Sequence, residues 1–141
     1  MDEVALQSDA EGVNWDTLAE IYRRAPLGTP DAEKLRRSYT NSDVCCFAFQ
    51  RGELIGAGRA ISDGESFATI CELVVAPEYQ HHGIGRAIMN LMLEQLAVPK
   101  VILACVHGKE EFYRKLGFHK HKSVMALYEN SEWFIENGYL E

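Results

Sequence analysis

Residues 80–86 read Gln-His-His-Gly-Ile-Gly-Arg, a Q-x-x-G-x-G segment between an apolar run ending at Val75 and an amphipathic helical pattern. Glycines at this spacing remove side chains where the main chain must come close to an anion. N–H groups at a helix start face outward, at the positive end of the helix dipole, which suits a pyrophosphate. Arg86 adds a positive charge at the same end. The segment lacks the Gly-Lys-Ser/Thr of a nucleotide-binding P-loop and is not a dinucleotide fingerprint. The same glycines also serve a tight strand-to-helix turn without a ligand.

A second candidate is Glu72, an acid inside the apolar run FATICELVV (67–75). Burying a carboxylate is costly, so its presence needs a reason. A sheltered carboxylate can act as a general base. The alternatives are a wet sheet face or a pair with Arg59 on the neighbouring strand. Cys45, Cys46, Cys71 and Cys105 form no C-x-x-C pair and sit in apolar stretches. They read as small buried hydrophobes in a reducing compartment, with no zinc site expected. His81 and His82 lack a third ligand at suitable spacing, so no metal is expected there.

The 141 residues suffice for one domain, 1–141, and 47% hydrophobic content can bury one core. A net charge of −7 argues against a nucleic-acid partner and favours a cationic one. No apolar run approaches the ~18 residues of a membrane span. The N-terminus is acidic and lacks the features of a signal peptide, so the expectation is a cytoplasmic protein without a membrane partner.

Positioning these residues requires a particular order of elements. Residues 2–7 read as a short strand and 14–25 as a helix stopped by Pro26. Thr29 followed by Pro30 predicts the cap and first turn of a second helix, to about Tyr39. Residues 44–49 and 54–61 form a hairpin about Arg51-Gly52, and 67–75 is the third strand of the meander. Residues 83–96 form an amphipathic helix, 101–105 a buried strand, and 110–116 a short helix ended by Gly117. Residues 118–128 predict one or two final strands. The tail 129–141 is ambiguous, and its aromatics leave a homodimer open. A meander followed by strand–helix–strand implies a mixed sheet with helices on its faces.

Gln80 to Gly85, taken with Glu111-Phe112-Tyr113-Arg114-Lys115-Leu116-Gly117-Phe118 about 25 residues later, resembles the GNAT family, the GCN5-related N-acetyltransferases. That family carries Q/R-x-x-G-x-G/A after its fourth strand and an FYxKLGF element downstream. The likeness is good over 43–128 and looser over the first two helices. GRAISDG and TICELVVAPEYQ look most like small-amine acetyltransferases of the aralkylamine (serotonin) type. The resemblance implies an α/β (α+β) fold. Its central sheet is mixed and mostly antiparallel, with six to seven strands, about four flanking helices, and a splay between the fourth and fifth strands.

The resemblance also implies roles. The cosubstrate would be acetyl-coenzyme A, bound by Leu73, Val74, Val75, Gln80, His81, His82, Gly83, Ile84, Gly85, Arg86, Ala87, Phe112 and Tyr113. The pantetheine arm would fill the splay, and the Leu73 N–H would donate to the thioester oxygen. Tyr113 matches the family tyrosine that protonates the departing thiolate; read alone, it is a core aromatic on a short helix. Glu72 is the candidate base, with His107, Asp63, His119 or a water chain as alternatives. Where many members carry asparagine after the fifth strand, this chain has Cys105-Val106-His107-Gly108. The acceptor, a small primary amine, would meet Glu72, Tyr22 and Leu27, with Arg24 and Pro26 nearby. An acyl-coenzyme A sensor without turnover, or a protein-lysine acetyltransferase, are the competing functions.

Overall fold

Asn14 starts the first helix: its side-chain oxygen accepts the Thr17 N–H at 3.1 Å, satisfying a donor that a helix start leaves free. Helix α1, Trp15–Arg24, then buries Leu18, Ile21 and Tyr22. Helix α2 is Ala32–Thr40 and buries Leu35 and Tyr39. Its cap is Asp31, whose side chain takes the Lys34 N–H at 2.7 Å, and not Thr29 as the proline position suggested. A carboxylate is the stronger acceptor at a helix start, where the dipole favours negative charge. The computed structural model describes residues 3–141. Asp2, first residue of the expected opening strand, lies outside the described residues.

The sheet strands are β1 (Val4–Gln7), β2 (Val44–Gln50), β3 (Glu53–Ser62), β4 (Phe67–Val75) and β5 (Lys100–Leu103), in that spatial order. The first four pair antiparallel and β5 pairs parallel to β4. Helix α3, Ile84–Leu96, packs on β2, β3 and β4. Two further helices, α4 (Glu110–Lys115) and α5 (Ser131–Glu136), follow. The mixed α/β class and the mostly antiparallel sheet agree with expectation. The strand count does not: there are five strands among the described residues. Residues 118–128 contain none. The run 124–128 is apolar on alternate and intervening positions alike, a pattern that needs cover on both faces, and Met125 and Leu127 are almost wholly exposed. The ambiguous tail supplies α5.

The described residues divide into two compact units, one ending at Cys105 and the other Val106–Glu141. In the first, one sheet face carries Phe47, Ala57 and Val74 into a core with Leu18, Ile21, Tyr22, Leu35 and Tyr39. The other face receives α3, and glycines make the approach close. A Cβ at Gly58 would stand 2.6 Å from the Met92 methyl, and one at Gly56 would stand 2.9 Å from the Val74 carbonyl oxygen. In the second unit, the His107 ring stacks on Tyr139 at 3.9 Å and its Nε2 lies 3.0 Å from the Asn137 carbonyl.

Candidate active site

Strand β4 leaves its neighbour halfway. β5 pairs with it only from Phe67↔Lys100 to Ile70↔Leu103, while β4 continues to Val75. A register shift on the β3 side, between Arg59 and Ala60, leaves Cys71 as an extra residue at that point, and such bulges bend a strand and end pairings. The orientation of the free stretch follows from one bond. The Ala76 N–H donates to the Ile55 carbonyl at 2.8 Å. Antiparallel pairs alternate between bonded and non-bonded, so Val74 and Glu72 face β3 with their main chain. Leu73 and Val75 face the opposite, β5 side. The Val75 carbonyl confirms this direction, since it accepts the Gln80 Nε2 at 3.0 Å. Of the three strand residues expected at a cofactor, Leu73 and Val75 thus present their main chain to the splay. Val74 presents neither its main chain nor its side chain there, being 1% exposed in the core.

The turn that follows fits an anion. Pro77–Tyr79 form one 3₁₀ turn, and Gln80 is extended. His81 has φ 66° and Gly83 φ 82°. Left-handed backbone at a non-glycine such as His81 is uncommon and marks a constrained bend. Helix α3 starts at Ile84 with no side-chain cap, and its first closing bond is Ala87 N–H to the Gly83 carbonyl at 3.0 Å. The N–H groups of Ile84, Gly85 and Arg86 are therefore the ones an α-helix start leaves outside its own ladder. A Cβ placed on Gly83 would meet nothing within 4 Å, so the space over this bend is open. His81, His82 and Arg86 are exposed and Ile84 is buried. The residues present fit a diphosphate held by main chain, which is the part of coenzyme A that the family binds here.

Glu72 is sheltered, not free. Its Oε1 accepts from Arg59 Nε at 2.6 Å, across the Arg59↔Glu72 register pair. Tyr22, expected at the acceptor, is 0% exposed. Its hydroxyl lies 2.7 Å from the Tyr39 hydroxyl. Burial, then the neighbouring Tyr39 and Glu72 charges, push the Tyr22 phenol well above its ordinary range. Leu27 packs half-buried against the same core. Among the alternative bases, Asp63 is held far below the usual carboxylate range, first by the Ser66 hydroxyl and then by the Glu65, Ser66 and Phe67 N–H groups. That makes it a poor proton acceptor. His107 is engaged by the C-terminal segment, as described above. In the second unit, half-buried Tyr113 sits on α4 with its ring against Phe112 and Phe118.

Sequence reading missed a cleft of about 350 Å³ beside α1, bordered by Asp16, Glu20, Glu53 and Glu78 together with Arg24. Arg24 bonds Glu78 from Nη1 at 2.6 Å, so carboxylates outnumber cations around it. Its residues come from three separate segments, and no local pattern brings them together.

A β4–β5 pair that parts halfway, beside an open, glycine-started helix, is the arrangement that the resemblance to acetyltransferases implies. The family model "Acetyltransferase (GNAT) domain" matches residues 41–120. The chain belongs to the GNAT acetyltransferase family. It is 29% identical over 121 residues to serotonin N-acetyltransferase 2, chloroplastic, of Oryza sativa subsp. japonica, covering 81% of this chain and 60% of that one. It is 36% identical over 128 residues to a histone acetyltransferase of Glycine max, covering 84% and 52%. The chain thus spans between about half and three-fifths of the length of these relatives. A GNAT-family acetyltransferase from Streptococcus pneumoniae shares the fold, with TM-score 0.74 and 23% identity over 90% of this chain and 99% of that one.

Proposed function

We propose that this chain transfers an acetyl group to a primary amine of a small molecule, with both reactants bound at once. The observation that carries the reading is the stretch of β4 at Leu73 and Val75 that β5 does not pair with, lying on the strand that leads directly into the open turn 80–86. Acetyl-coenzyme A, when bound, supplies the acetyl group as an activated thioester. The main chain of His81 to Arg86, beyond the braced Gln80, holds the diphosphate. Leu73 offers its N–H to the carbonyl oxygen, where negative charge grows during attack. Glu72 takes the proton that the amine nitrogen must lose. Tyr113, on the FYRKLGF element, returns a proton to the departing sulfur. Holding both reactants in one cleft supplies much of the acceleration. No cysteine is needed as a nucleophile, and Cys46 is unsuited to it: burial pushes its thiol up to about 12.

The acidic border of the cleft beside α1 and the net charge of −7 favour a cationic acceptor. Release of free thiol from acetyl-coenzyme A, measured against aralkylamines, polyamines, amino acids and lysine peptides, tests the reading. Turnover that depends on a small amine supports it. Turnover with lysine peptides alone would assign a protein substrate instead. Calorimetric binding of acetyl-coenzyme A without thiol release from any amine would make the chain a sensor.

A further inference from the structure

Arg59 is fixed from several sides. Its Nε donates to Glu72 Oε1 at 2.6 Å, and its Nη1 donates to Ser42 Oγ at 3.4 Å. Its guanidinium carbon lies 5.9 Å from the centre of the Tyr39 ring. Ser42 is itself held, its hydroxyl donating to the Ser38 carbonyl at 2.7 Å. The end of α2 thus grips an arginine of β3, and that arginine grips the carboxylate of β4. The Arg59 and Glu72 side chains are 18% and 28% exposed. The pairs Arg23–Glu20, Arg36–Glu33 and Arg24–Glu78 are far more exposed, and such surface pairs do little. The strand irregularity falls at this same point, immediately after Arg59, and bulges aim side chains.

We propose that Arg59 is a positioning residue of the acetyl transfer, which sets the Glu72 carboxylate beside the Leu73 main chain. The proposal rests on the reading of Glu72 as the base. A glutamate on a strand has several rotatable bonds, and a general base works only at hydrogen-bond reach of the proton it takes. A planar guanidinium already anchored by Ser42 and Tyr39 fixes one carboxylate oxygen and with it the plane of the other. A lysine would keep the charge without that fork.

The test compares Arg59→Met, Arg59→Lys, Glu72→Gln and the double variant R59M/E72Q by steady-state kinetics, with circular dichroism to confirm folding. R59M lowers kcat by about ten- to a hundredfold, less than the roughly 10²–10⁴-fold that a general base supplies, because Glu72 is misplaced and not removed. KM for acetyl-coenzyme A stays unchanged, since the diphosphate turn is untouched. R59K folds as the parent does and recovers only part of kcat. The double variant is no slower than E72Q, because Arg59 has nothing left to position. It also removes the uncompensated charge, so it reports even if R59M folds poorly. Full kcat in R59M beside a slow E72Q overturns the proposal and leaves the base reading standing. So does a double variant whose losses multiply. An E72Q enzyme of full activity instead removes the base, and the role of Arg59 with it.

Discussion

Gln80 donates from its side-chain nitrogen to the Val75 carbonyl oxygen at 3.0 Å, tying the turn before α3 to the last residue of β4. The bond uses the one face of Val75 that has no strand neighbour. Gln80 also donates its backbone N–H to the Pro77 carbonyl at 3.2 Å. The glutamine of the Q-x-x-G-x-G segment is therefore a brace. Its side chain fixes the angle between strand and turn, and main chain beyond it is left to meet an anion.

Replacing Gln80 with alanine should loosen that angle. One hydrogen bond contributes about 0.5–1.5 kcal/mol net. If that energy is felt mainly in the bound geometry, acetyl-coenzyme A affinity falls roughly two- to tenfold. Isothermal calorimetry reads this directly, and kcat at saturation should change less than affinity. Unaltered affinity would remove the brace.

At Gly83, charge and backbone strain can be separated. Its φ is 82°, and a side chain there would enter open space. Gly83→Asp and Gly83→Asn should therefore lose similar stability, about 1–2 kcal/mol for an L-residue held left-handed and somewhat less for these two tolerant types. Only the aspartate places a negative charge at the diphosphate. Binding of acetyl-coenzyme A should vanish in Gly83→Asp and survive, weakened, in Gly83→Asn. Equal affinities in the two variants would refute an anion at this bend.

Much of this site was legible in the sequence, for a physical reason. The glycines, the strand before them and the helix after them are neighbours in the chain, so local pattern carries them. Helix and strand positions from Trp15 to Leu96 follow the apolar periods closely. Where local signals competed, reading failed: Thr29-Pro30 looked like a helix start, yet Asp31 caps α2. Residues 118–128 looked like one or two strands, but strands need partners that only tertiary structure provides. Tyr22 illustrates the limit at the site. Its helical spacing was clear, but whether it faced a pocket or the Tyr39 hydroxyl was decided by α2, seventeen residues away. The Arg59–Glu72 pair, set in the sequence against a catalytic Glu72, is formed by the register of β3 on β4, and a role for Glu72 in proton transfer has to work with that partner in place.

Packing of α3 on the sheet gives a prediction independent of chemistry. The contacts awaiting a Cβ at Gly58 are side chains, the end of Met92 at 2.6 Å and the Ile88 Cγ2 at 3.0 Å, whereas at Gly56 the nearest is a main-chain oxygen at 2.9 Å. A methionine tip can move aside; a strand carbonyl cannot without disturbing the ladder. Gly56→Ala should cost about 1–3 kcal/mol as overpacking, and Gly58→Ala clearly less. Thermal melts of the two variants rank them, and a reversed order would show that α3, not the strand, yields.

Tyr113→Phe tests the proposed acid. Removing a proton donor used only as the sulfur departs lowers kcat and kcat/KM together. The expected loss is about a hundredfold or more, with KM for acetyl-coenzyme A little changed and the rings of Phe112 and Phe118 still packed as before. Wild-type kcat in this variant would assign Tyr113 to packing alone.

The paired hydroxyls of Tyr22 and Tyr39 make the last prediction, and pH supplies its second arm. The two side chains are 0% and 1% exposed and bond each other at 2.7 Å. Phenylalanine at position 22 leaves the Tyr39 hydroxyl in the core without that bond, at a cost of about 1–3 kcal/mol, whereas phenylalanine at position 39 should cost less, because the Tyr22 hydroxyl also bonds Glu72. Phenylalanine at both removes the pair and should cost less than the two single changes summed. Burial raises both phenols above their ordinary value, so the folded chain keeps them neutral where the unfolded chain ionises them. Their contribution is then complete below the unfolded value of about 10 and declines as pH climbs beyond it toward the raised folded values. Denaturant melts from pH 8 upward should show the parent losing stability above about pH 10. The double phenylalanine variant should lose less over the same interval; identical slopes would mean that these phenols are not held neutral by the core.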